Sequence, residues 1–472
     1  MHDHRRLVPL LVVSALAAAC GGTTSPVVTA PTLLAVNGAT SPAVYAGDTA
    51  VWTGVGFGAD SVTGIVLVPG GTGTLQAEVV EWTDDAIAAV LPADVRSGPS
   101  YVVIDRDTLG PIDLFVRPRG TFLPGARSWV EGAALPKPLA GAAAAALRFP
   151  TGDALHALVV VVGGRRADGF LNDSTYLGFA SPEGLITEWR GAPDSITPRG
   201  RRLHALLGVD RLNSRIALDG VAYEIGGVDS TGAVLTDVLG IGLTASGGYG
   251  LWTPLTVLPV ARAGVAAVAA LGNLYVIGGF GTDSLAARSV LTASVQPAGG
   301  LSGWFPGPPL PDGLAFAAAV VAGNTLYVLG GERGLVSPDT VADSTALSAT
   351  VLAIRLSPKT GAFLDSAWTV LPTPLIQPRS RHAAFVLDGA IVVVGGVYMG
   401  MPSSAESEYA VPDSTGKLGP FQELPPPSVA DLAGHPVWLS ASPPLWDAAG
   451  VERATLVGGA LPGGVSSRVW SR

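Results

Sequence analysis

Cysteine is almost missing from this chain of 472 residues, which has one, Cys20. That excludes an intramolecular disulfide framework and any all-cysteine zinc site. Charge is also scarce, at 14% of residues, and its balance is acidic, with a formal net charge of −9. A chain of that sign is not built to neutralise a phosphate backbone, so no nucleic-acid partner is expected. Beyond the N-terminus no apolar run reaches the roughly 18–20 residues a helix needs to cross a bilayer. Mean hydropathy is nevertheless +0.43. The apolar excess lies in short Ala/Val/Leu runs cut by the 62 glycines and 38 prolines, a pattern that fits many short buried strands. Motifs of the Cys-x-x-Cys, His-Glu-x-x-His, Gly-x-x-x-x-Gly-Lys and Gly-x-Ser-x-Gly types are absent, which points to a non-enzymatic chain and to no cofactor or metal.

The first residues read as an address. Arg5 and Arg6 form a basic start, Leu7 to Ala19 an apolar stretch, and Leu16-Ala17-Ala18-Ala19 precede Cys20. A basic start, a short apolar core and small residues before a cut describe a secretory signal. With the only cysteine at the cut, the segment resembles the lipobox of bacterial lipoproteins. The resemblance implies removal of residues 1–19 and lipidation of Cys20, with residues 20–30 as a flexible tether. Several acyl chains, at roughly 0.8 kcal/mol per buried CH₂, would hold the protein to a membrane. Gly21 stands where such lipoproteins of an inner membrane tend to carry Asp. The expected location is therefore the bacterial envelope, at an outer membrane, on its periplasmic side or at the cell surface. The competing reading is an ordinary signal peptide followed by a chance cysteine.

Residues 31–117 hold seven strand-like runs (LLAV, AVWTGVGF, GIVLV, AEVVEW, AIAAVL, SYVVI, IDLFV) separated by turn signals, which predicts a β-sandwich. Pro31, Gly47-Asp48, Gly54 to Gly58, Leu91-Pro92 and Gly98-Pro99 occur in an order that resembles an IPT/TIG immunoglobulin-like domain. Gly54-x-Gly56-x-x-Ala59 matches a dinucleotide fingerprint in letters only, because no helix pattern follows it. Asp105, Asp107 and Gly110 lack the closing Glu of a calcium loop, with Val116 in its place.

Residues 121–472 are a repeat. An apolar run ending in Gly-Gly occurs six times, with first glycines at 163, 226, 278, 330, 395 and 458, in steps of 63, 52, 52, 65 and 63. A second strand-like run, a glycine turn and an aromatic follow each of the first five doublets: Trp189, Trp252, Trp304, Trp368 and Phe421. Four short strands per unit is the content of one propeller blade, and a single blade cannot bury its own faces. The doublet, the spaced Trp and the Leu-Pro after it resemble the kelch family, which implies a six-bladed propeller. The fold expected is thus all-β: an immunoglobulin-like sandwich followed by a six-bladed kelch-type propeller. The chain ends with only a third strand after the sixth doublet, and a spare strand stands at Trp129. That N-terminal strand is predicted to complete the last blade.

Antiparallel geometry puts the b–c loops after Gly-Gly and the d–a loops after the aromatic on one face, where a, b, c and d run outward from the axis. Arg199, Arg201, Arg202, Arg262, Arg379 and Arg381 fall in the d–a loops, and Arg165, Arg166 and Arg333 in the b–c loops. Their planar forks match carboxylates and phosphates. One reading is an anion-binding mouth. The other is that each arginine pairs with a neighbouring carboxylate, such as Asp168, Asp229 or Glu332. His204, His382 and His435 stand at the start of strand a in three blades and are further ligand-binding candidates. A metal is not expected there, because the family carries His at this place as a structural residue. Glu332, beside Arg333, is the best single acid–base candidate. Recurrent Asp-Ser pairs are turn chemistry.

The expected function is a lipid-anchored envelope binding or interaction protein, monomeric, with an anionic glycan or a protein as ligand. Two alternatives stand beside it. One is a carbohydrate-active enzyme such as an acidic-sugar mutarotase or epimerase, since a six-bladed kelch ring resembles the sialic-acid enzymes of that type. The other is a structural assembly subunit.

Overall fold

The computed structural model describes residues 30–37, 43–58, 64–117, 122, 124, 128–151, 154–194, 196–210, 216, 218–340, 343–357, 360–398, 401–412, 417–424, 442–446, 452–461 and 464–472. The signal region with Cys20, and His435, lie outside them. Among the described residues there is no helix.

The N-terminal unit has eight strands. All seven predicted runs form one each, and Ala43–Tyr45 adds an eighth, parallel to the end of Asp107–Arg117. The strands follow one hydrogen-bonded path: Thr32–Val36, Thr49–Val55, Ala86–Val90, Gly73–Trp82, Ile65–Gly70, Gly98–Ile104, Asp107–Arg117, Ala43–Tyr45. Gly73–Trp82 is long enough to serve both halves. Its first half pairs with Ile65–Gly70 and its second with Ala86–Val90, the latter pairing interrupted by a bulge between Val79 and Glu81. The path closes around one core that includes Val36, Trp52, Phe57, Val66, Ile87 and Val102.

The remainder is a six-bladed β-propeller. The inner strands are Leu139–Thr151, Ala205–Asp210, Ala266–Ala270, Ala318–Ala322, Ala383–Leu387 and Pro444–Trp446. In blades 1 to 5 strands b, c and d follow in chain order. Blade 6 runs Pro444–Trp446, Glu452–Val457, Val469–Ser471 and then Val130–Glu131, so the N-terminal strand closes the ring, with Trp470 opposite Glu131. Trp129 and Trp470 share one buried cluster.

The Gly-Gly doublet joins blade to blade. Every first glycine has φ between 60° and 65°. A Cβ on it would stand 2.1–2.5 Å from a carbonyl oxygen of the next blade: that of Arg201 at Gly163, Arg262 at Gly226, Leu314 at Gly278, Arg379 at Gly330 and Leu139 at Gly458. Where the first glycine leaves that room, the second can donate its N–H to the same carbonyl. Gly227, Gly279, Gly331 and Gly459 do so at 2.8 Å. Only glycine permits both the left-handed backbone and the approach.

Two residues after that carbonyl comes another left-handed position: Gly141, Leu203, Gly264, Phe316 and Arg381. These residues form a backbone belt around the axis, Leu203 N donating to Gly141 O (3.1 Å), Gly264 N to Leu203 O (2.8 Å), Phe316 N to Gly264 O (2.7 Å) and Arg381 N to Phe316 O (2.9 Å). The tryptophans tie the rim in the same sense. Indole N–H groups of Trp189, Trp252, Trp304 and Trp368 donate to Ala133, Thr175, Thr256 and Pro308 of the preceding blade, at 2.8–2.9 Å.

Candidate functional site: the loop face of the propeller

The two faces of the ring are not equivalent. On the a–b turn face the N-terminal unit is in contact, with Tyr45 Oη donating to Asp388 Oδ1 at 3.4 Å. An axial cavity of about 1790 Å³ is shared by the inner strands and by Thr49, Val51, Thr53 and Ala86 of that unit. Its walls are mostly alanine and other apolar side chains. His204 and His382 lie toward the loop end of the cavity and Arg148 and Glu452 toward the other.

At the loop face, a segment of blade 4 crosses the mouth. Strands b and c of blade 4 are joined by 330–350, against 226–237 in blade 2 and 278–289 in blade 3. Residues 332–340 of this connection, here called the strap, reach four other blades. Val336 N donates to Ser284 O and Ala286 N to Gly334 O, both at 2.8 Å, in blade 3. The Val336 side chain is buried among Leu203, Phe280 and Phe316. Asp339 Oδ1 accepts from Arg165 Nη2 of blade 1 (2.9 Å) and from Arg202 Nη2 of blade 2 (2.8 Å). Arg202 Nη1 donates to Pro338 O (3.2 Å). Arg381 Nη2 of blade 5 donates to Ser337 O (2.8 Å) and Thr340 O (3.0 Å). Partial burial works against a charged Asp339, but Arg202 and Arg165 outweigh it and hold the carboxyl below its usual range.

The other predicted site residues fall into three groups. Some are buried in ion pairs. Arg201 and Arg379 occupy matching positions in blades 2 and 5. Arg201 Nη1 bonds Gly226 O (3.1 Å) and Arg379 Nη1 bonds Gly395 O (3.0 Å). Their carboxylate partners are Glu224 (3.4 Å) and Glu408 (2.7 Å). Glu332 is 1% exposed and pairs with Arg381 at 2.8 Å while accepting from Ser380 Oγ at 2.8 Å. It lies at the root of the strap and fixes Arg381, whose guanidinium also stacks 4.1 Å from the Phe316 ring centre.

A second group is solvated and locally paired. Arg166 bonds Asp168 at 2.9 Å, Arg199 lies 3.4 Å from Asp229 and 3.6 Å from Asp237, and Arg333 bonds Thr350 Oγ1 at 2.8 Å with Asp312 at 4.0 Å. Arg262 differs from these in being half-buried, and bonds Ala261 O and Ser289 Oγ, both at 3.0 Å. Pairing with Asp168, Asp229 and Glu332 is what the second sequence reading expected.

The third group is the histidines. His204 Nε2 lies 3.4 Å from Glu224 Oε1, and burial, reinforced by Arg201, pushes its pKa down to about 3. His382 is likewise pushed to about 3 by burial and Arg379. Each ring fills space left by glycine. A Cβ on Gly163 would meet His204 Cε1 at 2.4 Å, and one on Gly330 would meet His382 Cε1 at 2.8 Å. Both rings are neutral spacers between blades. Burial also raises Glu224, to about 7.

What sequence reasoning missed is the strap itself. Asp339 and the Ser337–Thr340 carbonyls carry the contacts that gather Arg165, Arg202 and Arg381 from three blades. The step of 65 after the fourth doublet gave no signal, since the steps after the first and fifth are 63. A scan of protein-family models finds no match, and no curated protein matches the chain.

Proposed function

We propose that this chain is a lipid-anchored binding protein of the bacterial envelope, whose kelch-type propeller offers its loop face to a carboxylate-bearing partner. The observation that carries the reading is the asymmetry of the ring. The N-terminal unit contacts one face, while at the opposite face Arg165 and Arg202 meet on a single carboxylate, that of Asp339, and Arg381 takes main-chain carbonyls of the same segment. Phe170, 69% exposed on the same hairpin as Arg165 and Arg166, adds apolar surface beside the charges. The kelch reading is supported by the doublets and by the Trp ties between blades. An IPT/TIG-like N-terminal domain is supported by the strand order, in which four strands on one side and three on the other are bridged by a long strand, as in immunoglobulin-like folds. The anchor reading is supported by Leu16 to Cys20.

Two experiments test the proposal. Mass spectrometry of the mature N-terminus is expected to find acylated Cys20, and Cys20→Ser to leave the protein uncleaved. The full chain in detergent, applied to arrays of acidic glycans and acidic peptides, is expected to bind with an affinity that falls as salt rises. A salt-insensitive interaction, or none, would remove the carboxylate reading.

A further inference from the structure

Resting on the loop face being the partner surface, we propose that Arg165, Arg202 and Arg381 form a receptor for an acidic, extended peptide segment of a partner protein, and that residues 336–340 of the same chain occupy it in the resting state. The strap is bound as a peptide ligand would be. Two guanidinium groups from different blades converge on one carboxylate oxygen, at 2.8 and 2.9 Å. Three main-chain carbonyls, of Ser337, Pro338 and Thr340, are taken by Arg202 and Arg381. An apolar socket lined by Leu203, Phe280 and Phe316 takes one β-branched side chain, Val336. Carbonyls at successive residues are a feature of a peptide and not of a sugar carboxylate, which decides the class.

One of the three arginines is fixed independently of the occupant, while the side chains of Arg165 and Arg202 bond the occupant itself. Arg381 is fixed from behind by Glu332 and by stacking on Phe316, so its position does not depend on the strap carbonyls. The occupant is held at its tip by one solvated pair, with Arg165, and by a second in which the Arg202 side chain is 11% exposed. Arg165 and Asp339 are 45% and 52% exposed. An acidic segment presented in trans therefore competes with the strap for these arginines, while Gly334 at the strap root stays paired to blade 3.

The test uses the full chain in detergent and a labelled peptide copying residues 335–340, LVSPDT, read by fluorescence anisotropy. Val336→Ala with Asp339→Ala weakens both strap anchors; Asp339→Asn, which alters only the carboxylate, serves as the milder variant. Both are checked for an unchanged melt. Removing a cis occupant that fills the site about nine-tenths of the time raises apparent affinity about tenfold. That gain over wild type is expected, with loss of binding for the LVSPAT peptide and on adding Arg202→Ala. Amide exchange across 332–340 of the wild type should quicken when peptide is added. Equal binding by wild type and both variants, or equal binding of LVSPAT, overturns the receptor. Binding of a glucuronate oligosaccharide in place of LVSPDT overturns the peptide class and leaves the loop-face reading standing. Silence toward both overturns both.

Discussion

A single missing methyl group decides much of this ring. At Gly226 the backbone is left-handed, with φ of 63°, and a Cβ would stand 2.2 Å from the Arg262 carbonyl oxygen of the next blade. At Gly232 φ is 86° and nothing lies within 4 Å. Gly232→Ala therefore carries only the left-handed penalty, about 1–2 kcal/mol. Gly226→Ala carries that penalty and must also push two blades apart, so its cost should exceed that of Gly232→Ala by at least about 1 kcal/mol. Urea unfolding of the two variants checks this, and equal midpoints would mean that the blade contact yields freely. The histidines give a second residue-scale expectation. His204 and His382 titrate near 6.5 when unfolded and about 3 when folded. Their contribution is complete above the unfolded value and is lost as pH falls from 6.5 toward 3, by at most about 1.4 kcal/mol per pH unit for each ring. Glu224, raised to about 7, acts in the opposite sense, losing stability as pH rises from its ordinary value. The informative quantity is thus the difference between wild type and the His204→Gln, His382→Gln double variant. The variant should lose less stability between pH 6.5 and 4.5, as read by chemical unfolding at each pH.

At the scale of elements, the closing strand is the test of the ring. Val130–Glu131 pairs with Val469–Ser471, and Arg468 clasps Glu131 with Nη2 to Oε2 at 2.8 Å while stacking 4.5 Å from the Trp470 ring. Deleting residues 465–472 removes the third strand of blade 6 and leaves the fourth without a partner, so the whole propeller should lose its cooperative melt in calorimetry. A deletion that melts like the intact chain would contradict closure. This seam was legible in the sequence, because a missing strand at one end and a spare Trp strand at the other can be counted. The six doublets were legible for the same reason: local φ and packing demands recur at every blade and leave the same letters. The backbone belt was not, since glycine, leucine, phenylalanine and arginine all serve at its left-handed positions and share no letter. Nor was the strap. Asp339 meets Arg165 and Arg202 across more than a hundred residues of chain, and no spacing rule encodes a loop that folds over an axis. The sequence placed Arg201, Arg379 and Arg381 on the right face, but whether a guanidinium faces solvent or a buried carboxylate is set by the neighbouring blades.

For the molecule as a whole, the junction between the N-terminal unit and the propeller holds an unusual load of acid. Glu452, at the start of strand b in blade 6, lines the shared cavity. Burial raises its pKa to about 8, with Asp48 of the N-terminal unit and Asp388 of blade 5 adding to the rise and Arg148 opposing it. Its folded value therefore lies above the unfolded one. The stability it contributes is complete below about 4.5 and is lost as pH rises through 8, where a new negative charge appears beside two carboxylates. Because Asp48 belongs to one unit and Asp388 to the other, the strain should fall on their contact rather than on either core. Amide exchange at Thr49–Val55 should quicken between pH 6 and 8.5, after correction for intrinsic exchange, while the inner strands of blades 2 to 4 stay protected. Glu452→Gln keeps the shape and removes the charge, so its exchange at Thr49–Val55 should stay level over the same range. If the two proteins respond alike, the junction is indifferent to this carboxyl and the N-terminal unit is held by its other contacts, Tyr45 with Asp388 among them.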